Sequence, residues 1–280
     1  MQELINNVLG VIPIEFLNYT FMKNAFVAVL LATPIFAILG TMIVNNKMAF
    51  FSDSLGHSAI CGIAIGTILG ITNTNIAMIL FACVFAILLN WVKHKVHYGA
   101  DTIISVFSSI AIAIGLAILT ASGSFNQYSN ILVGDILSIN ANEIIYLLLT
   151  FVVVFVAWYY LFNKIHAISI NTSLAKSKKI NVMALDNLFV ILIAIVVMVS
   201  IRWIGILLIN SLLILPAASS RNVAKNMRQY HLLAVVFSMF SGITGLIISY
   251  YNNIPTGPMI VIVSGLIYFI TFGLKNKIKG

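Results

Sequence analysis

The chain is 280 residues long, 61% hydrophobic and 8% charged, with a mean hydropathy of +1.09. That balance excludes a soluble globular domain and reads as a polytopic membrane protein, one transmembrane domain over 1–280. The formal net charge of +8 falls in short segments between apolar runs. No basic stripe carries interleaved aromatics, which argues against nucleic acid as a partner and leaves membrane lipid around the chain.

In chain order, MQELINNVLGVIPIEFLN lacks a basic leader region and a clear cleavage site, so it is read as a short amphipathic segment at the interface rather than a signal peptide. Apolar stretches of spanning length follow at 24–44, 53–71, 75–92, 101–121, 143–162, 188–201, 204–218, 232–251 and 259–274. The basic residues group at Lys93 and Lys95, from Lys164 to Lys179, at Arg221, Lys225 and Arg228, and at Lys275, Lys277 and Lys279. Placing them inside makes the loops after spans one, three, five and seven cytoplasmic, together with the C-terminus. Nine spans put the N-terminus outside, and eight would move it inside. The turn at 201–205 decides between them, and it makes Arg202 the one basic residue expected outside. Segment 122–142 contains Gly134-Asp135 and has room for a short half-inserted helix, with Asp135 as its cap.

The second span reads FFSDSLGHSAICGIAIGTILG. Asp53 and His57 are four residues apart, one turn of helix, on one face. Ionisable groups inside a bilayer are costly and line polar cavities or pathways. A carboxylate beside an imidazole also supplies the oxygen and nitrogen donors of a divalent-metal site. Taken singly, Asp53 has a second reading as a helix N-cap beside Ser52, and His57 as a polar residue satisfied by a neighbouring helix. Together, facing one way, they favour function. Cys61 lies one turn beyond His57, but about 12 Å from Asp53 along the axis, so it is read as packing. Cys61 and Cys83 form no C-x-x-C pair and imply neither a disulfide framework nor a thiolate cluster. Gly62, Gly66 and Gly70, continued by Ser54 and Ser58, form a small-residue stripe for close helix packing, as do Ser241, Gly245 and Ser249.

His94, His97 and His166 fall in basic loops and are expected to be solvated or lipid-facing. Asp101 is expected to start a helix. Residues 165–186 are too polar to span and are expected to form a cytoplasmic segment with a short helix that a soluble motor could grip. No Gly-Lys dipeptide occurs, so the phosphate-binding loop of ATPases is missing, and no H-E-x-x-H or G-x-S-x-G supports a membrane protease or hydrolase. The ten methionines have no repeating spacing that would form a copper conduit.

At these residues the sequence resembles the permease family of bacterial zinc/manganese ABC importers. GTMIVNNKMAFFSDSLGHSAICGIAIG is similar to the family's acid-x-x-x-His block with its glycine-rich helix. DTIISVFSS and LVGDILSI resemble two middle blocks, LLINSLLILPAASSRNVAKN the block ending in Pro-Ala-Ala, and IPTGPMIVIVSGLIYFI the final hairpin. Their order and spacing cover most of the chain.

The resemblance implies an all-α fold of about 8–9 transmembrane helices, like the cobalamin-type ABC importer permeases, in a bacterial cytoplasmic membrane. It also implies a homodimer, ABC ATPase subunits on the cytoplasmic side, and an extracellular or periplasmic metal-binding protein. The chain would not be an enzyme, and no prosthetic group is expected. The cargo would be a divalent metal, Zn²⁺ first, with Mn²⁺ or Fe²⁺ as alternatives. The family's path-lining acid and histidine fall on Asp53 and His57. Its ATPase-coupling segment falls on 171–182, with Asn171, Ala175, Lys176, Lys178 and Lys179. Asn171 stands where Asp is usual, Lys179 where Gly is usual, and Cys61 where Pro is frequent. The alternatives are a siderophore or cobalamin-type permease, whose organic cargo needs no acid–histidine pair, and a proton-coupled secondary metal transporter. The latter class often shows internal repeats, and none is evident here.

Overall fold

In lipid a backbone must satisfy its own hydrogen bonds, and the apolar segments do so as helices. The computed structural model describes residues 2, 5, 15–71, 73–95, 100–128 and 130–279. Among them are nine long helices, α1 (Thr20–Asn45), α2 (Ala49–Ile68), α3 (Thr74–Lys95), α4 (Ala100–Ala121), α5 (Ala141–Ile170), α7 (Val182–Ile204), α8 (Ile206–Val223), α9 (Met227–Asn252) and α10 (Thr256–Lys279), with a short α6 (Thr172–Ser177) between α5 and α7. Seven of these helices are apolar and long enough to cross a membrane on their own account, α2 and α8 being the two long ones outside that set. Asp53, His57 and the small residues make α2 more polar, and it is shielded by its neighbours. It packs on α3, α4, α7 and α8. By contrast, 17% of the most apolar stretch of α10 is buried, against 78% for α1. α1 and α2 are thus largely enclosed by other helices, whereas α10 leaves most of its apolar surface exposed.

Glycines set the closest approaches. A Cβ on Gly40 of α1 would lie 1.8 Å from Leu213 O of α8, and one on Gly115 of α4 would lie 2.7 Å from Cys61 N of α2. Gly62 and Gly66 seat α2 on Ala77 and Met78 of α3, as the stripe predicts. Gly70 departs from that expectation. It has φ +69 and closes α2, with Ile71 N donating to Gly66 O at 2.9 Å. Gly245 of the second stripe packs on Ile260, whereas Ser249 bonds Ile254 O and Thr256 Oγ1 in the α9–α10 turn.

Several predicted boundaries move. Helix α2 starts four residues before the predicted span, with Met48 at its N-cap. Asp53 is therefore inside the helix and does not cap it. Helix α5 continues past the predicted 162 to Ile170, which takes His166 out of the loop and into a helix. In place of a half-inserted helix, the segment before α5 holds two one-turn helices, Phe125–Tyr128 and Asn130–Val133, and the 3-10 turn Ile136–Ser138. Asp135 caps that turn, accepting from Leu137 N at 3.0 Å. α4 starts at Ala100, beside Asp101 as expected. His97 and most of the N-terminal amphipathic segment lie outside the described residues; within that segment 15–18 form a 3-10 turn.

Candidate functional site

Asp53 and His57 lie on the one open face of α2. The helix buries thirteen of its twenty residues, while the Asp53 and His57 side chains are 40% and 24% exposed. Asp53 Oδ2 and His57 Nε2 are 3.6 Å apart, beyond hydrogen-bonding range. Two bonds of about 2.1 Å meeting near the tetrahedral angle span about 3.4 Å, so this separation matches two donors to one ion. Among the described residues no third histidine, cysteine or carboxylate joins a group of metal-ligand type. One chain therefore offers two donors and open positions, a set suited to brief ligation.

Contacts around the pair fix its depth. Ser52 Oγ donates to Asn210 Oδ1 at 2.5 Å, and Gly56 faces Ile206 and Ile209. Ser54 Oγ is buried with no hydrogen-bond partner among the described residues. The pair is thus level with the corner where α7 meets α8. Gly205 makes that corner with φ +91 and ψ 153, and Gly134 backs onto it with φ +69. A Cβ on either would fall 2.2–2.3 Å from the other segment's backbone. On the side predicted outer, a cavity of about 1060 Å³ descends to this corner, lined by Asn73, Gln127, Tyr128, Gly134, Asp135 and Arg202, among others. Arg202, expected as a lone outer cation, pairs with Glu143 at 3.3 Å. Neither Asp53 nor His57 lines the cavity.

At the basic side the residues expected to meet an ATPase form one small unit. Asn171 Oδ1 accepts from Ser173 N at 2.9 Å and so opens α6, as the more usual Asp would. Ala175 is 1% exposed and packs with Ile168 and Val182, while Lys176, Lys178 and Lys179 are exposed. Ile180 N reaches Ala175 O at 3.2 Å and Lys179 N reaches Lys176 O at 2.9 Å, a Schellman ending. It puts Lys179 at φ 57, the left-handed position where glycine is favoured.

The expectation for His94 is corrected. Its Nε2 meets Asp186 Oδ2 at 3.2 Å and its Nδ1 lies 2.9 Å from Asn90 O; Asn90 in turn donates to Asn187 at 2.7 Å. The end of α3 is therefore latched to the second turn of α7. His166 is likewise not a free loop residue, because its ring stacks on Phe162. His231 went unnoticed in the sequence. The predicted eighth span starts one residue after it, yet α9 starts at Met227 and buries it.

Residues 18–275 match the profile of the ABC 3 transport family. The chain belongs to this family. Among family relatives, it is 29% identical over 243 residues to the high-affinity zinc uptake system membrane protein ZnuB of Haemophilus influenzae, covering 86% of this chain and 93% of that protein. It is 25% identical over 262 residues to the manganese transport system membrane protein MntC of Listeria monocytogenes, covering 93% of both. The structure of PsaBC from Streptococcus pneumoniae in complex with Fab superposes with a TM-score of 0.79 at 24% identity, over 97% of this chain and 95% of that one. The all-helical, multi-pass membrane architecture expected from the sequence is thus a family fold.

Proposed function

We propose that this ABC 3 family member is the membrane permease subunit of an ATP-driven importer of divalent metal ions, with Zn²⁺ the first candidate and Mn²⁺ or Fe²⁺ the alternatives. The names of the zinc and manganese relatives support the cargo class. The observation that carries the reading is the Asp53–His57 pair, two metal-type donors 3.6 Å apart on the open face of an otherwise enclosed helix. In a homodimer, two such faces would offer two carboxylates and two imidazoles across the axis. An extracellular metal-binding protein would release the ion outside, and the ion would pass the Gly134–Gly205 corner to reach the pair. Two donors per copy hold it loosely, and conduction requires a site weak enough to leave.

Drive comes from separate ABC ATPase subunits, since the chain has no phosphate loop and performs no covalent chemistry itself. They would grip 171–182, where the lysines face outward and Ala175 seats the segment on α5 and α7. Helix α7 then carries movement two ways. One route runs to its far end at Gly205, and the other through Asp186–His94 into α3, on which α2 rests. Alternating access follows if α2 tilts with these neighbours.

The reading is tested by zinc and manganese uptake in cells lacking the native permease. Asp53→Asn and His57→Ala should each reduce uptake to the level of cells without the chain, at unchanged protein abundance and dimer content. Normal uptake by both variants would overturn the site.

A further inference from the structure

The basic ends of α3 and α7 are joined by a contact that needs a proton. Both ring nitrogens of His94 face oxygen, Nδ1 at 2.9 Å from Asn90 O and Nε2 at 3.2 Å from Asp186 Oδ2. A backbone carbonyl only accepts, so Nδ1 must carry a hydrogen and donate to it. The contact between Nε2 and Oδ2 then requires a hydrogen of its own, on the imidazole or on the carboxyl. With that proton both nitrogens are satisfied. Without it, a ring lone pair meets a carboxylate and the contact is lost.

The surroundings let this proton come and go. The side chains of His94 and Asp186 are 32% and 20% exposed, so water on the basic side reaches them. Besides His94, the charge acting on Asp186 is that of Lys93, also on α3; among the described residues none from α2, α5, α6 or α8 adds to it. Lys95 is turned to Trp91, with Nζ 4.0 Å from the ring centre. Loss of the shared proton therefore leaves Asp186 with a rival partner in Lys93, one position from His94 and about 100° round the helix. One turn earlier, the fully buried Asn90 donates to Asn187 Oδ1 at 2.7 Å. Neither amide titrates, so this bond keeps α3 on α7 at any pH and confines the change to the last turn of α3.

We propose that His94 and Asp186 form a proton-held latch, closed at lower cytoplasmic pH and released as that pH rises, which sets how firmly α3 follows α7. Histidine is the side chain that ordinarily changes charge between about pH 5 and 8. The sign follows from the proton count. The contact is made in the protonated pair, so its contribution is present at low pH and lost as pH climbs. Helix α6 abuts α7, and α2 rests on α3. Release would thus loosen the path from the segment that meets the ATPase to the Asp53–His57 pair. That consequence for import, and the cytoplasmic placing of the basic side, rest on the permease reading; the proton dependence of the latch does not.

The test uses the full-length chain alone in detergent, carrying Cys61→Ala and Cys83→Ala. Spin labels are placed at Lys95→Cys and Met183→Cys, exposed positions at the end of α3 and the start of α7. The distance distribution is read by pulsed electron resonance at about pH 6 and about pH 8.5, on either side of an ordinary histidine. The expected result is one narrow distance at the lower pH and a roughly threefold or greater rise, at the higher pH, in the share of pairs outside it. His94→Gln supplies an amide donor that does not titrate, and Asp186→Asn removes the carboxylate. Each should abolish the pH response, and His94→Gln should keep the narrow distance at both values. Distances that do not respond to pH in the parent chain, or a response that persists in either variant, would overturn the latch. In vesicles with the ATPase subunits, zinc taken up per ATP hydrolysed should fall as pH rises on the ATPase side, and stay level with His94→Gln. A level ratio in the wild type would overturn the role in import. The labels read the chain without metal or ATPase, so failure of the latch is distinct from failure of the permease reading.

Discussion

At Asp53 the cost of placing a carboxylate in an apolar helix is lowered by geometry. Its side chain stays two-fifths exposed while Ser52 and Ser54 beside it are buried. His57, one turn on, is more enclosed, so the imidazole takes the drier position and the carboxylate the wetter one. At Lys179 the opposite holds, a residue sitting where its backbone resists it. A left-handed residue with a side chain costs about 1–2 kcal/mol that glycine avoids. Lys179→Gly should therefore strengthen the α6 ending by about 1 kcal/mol, seen as slower hydrogen exchange at the Ile180 amide; unchanged or faster exchange would contradict the assignment of that turn. Asp53 and His57 were legible in the sequence because ionisable groups stand out against an apolar run. His94 was not, since its partner Asp186 is far along the chain and only the packing of α3 on α7 joins them. Arg202 hid its partner Glu143 in the same way.

At the scale of elements, the proposed mechanics rest on two short segments. Ala175 N donates to Asn171 O at 3.0 Å inside α6. A proline there removes that bond and clashes with the preceding turn, about 3 kcal/mol in a helix interior. Ala175→Pro should abolish co-purification of the ATPase subunits and metal uptake, while the spanning helices remain folded by circular dichroism. Retention of both partner and uptake would remove 171–182 from the coupling role. The second device is the Gly134–Gly205 corner. The backbone of Gly205 lies in a region essentially open to glycine alone, costing about 1–3 kcal/mol for other residues. A Cβ there would also strike Val133 O. Gly205→Ala should lower the thermal unfolding midpoint in detergent and impair transport, and a stable, fully active variant would show that the corner can open freely. Spanning helices were readable from hydropathy alone. Their ends were not, because α5 and α7 extend as helix into polar sequence that hydropathy treats as loop.

At the scale of the whole molecule, the order of helices and the central place of α2 follow from small residues that let backbones touch. The glycine stripe announced the packing of α2 but not its partners. The chain alone should hydrolyse no ATP, because it has no phosphate loop; turnover by a preparation free of ATPase subunits would contradict the permease reading. The most direct measurement of the central claim uses vesicles containing the chain with its ATPase subunits, the external metal-binding protein and radioactive zinc. The account predicts zinc accumulation that requires ATP on the ATPase side, persists when a protonophore abolishes any proton gradient, and disappears with Asp53→Asn. Accumulation that collapses with the protonophore at constant ATP, or continues with Asp53→Asn, would contradict it.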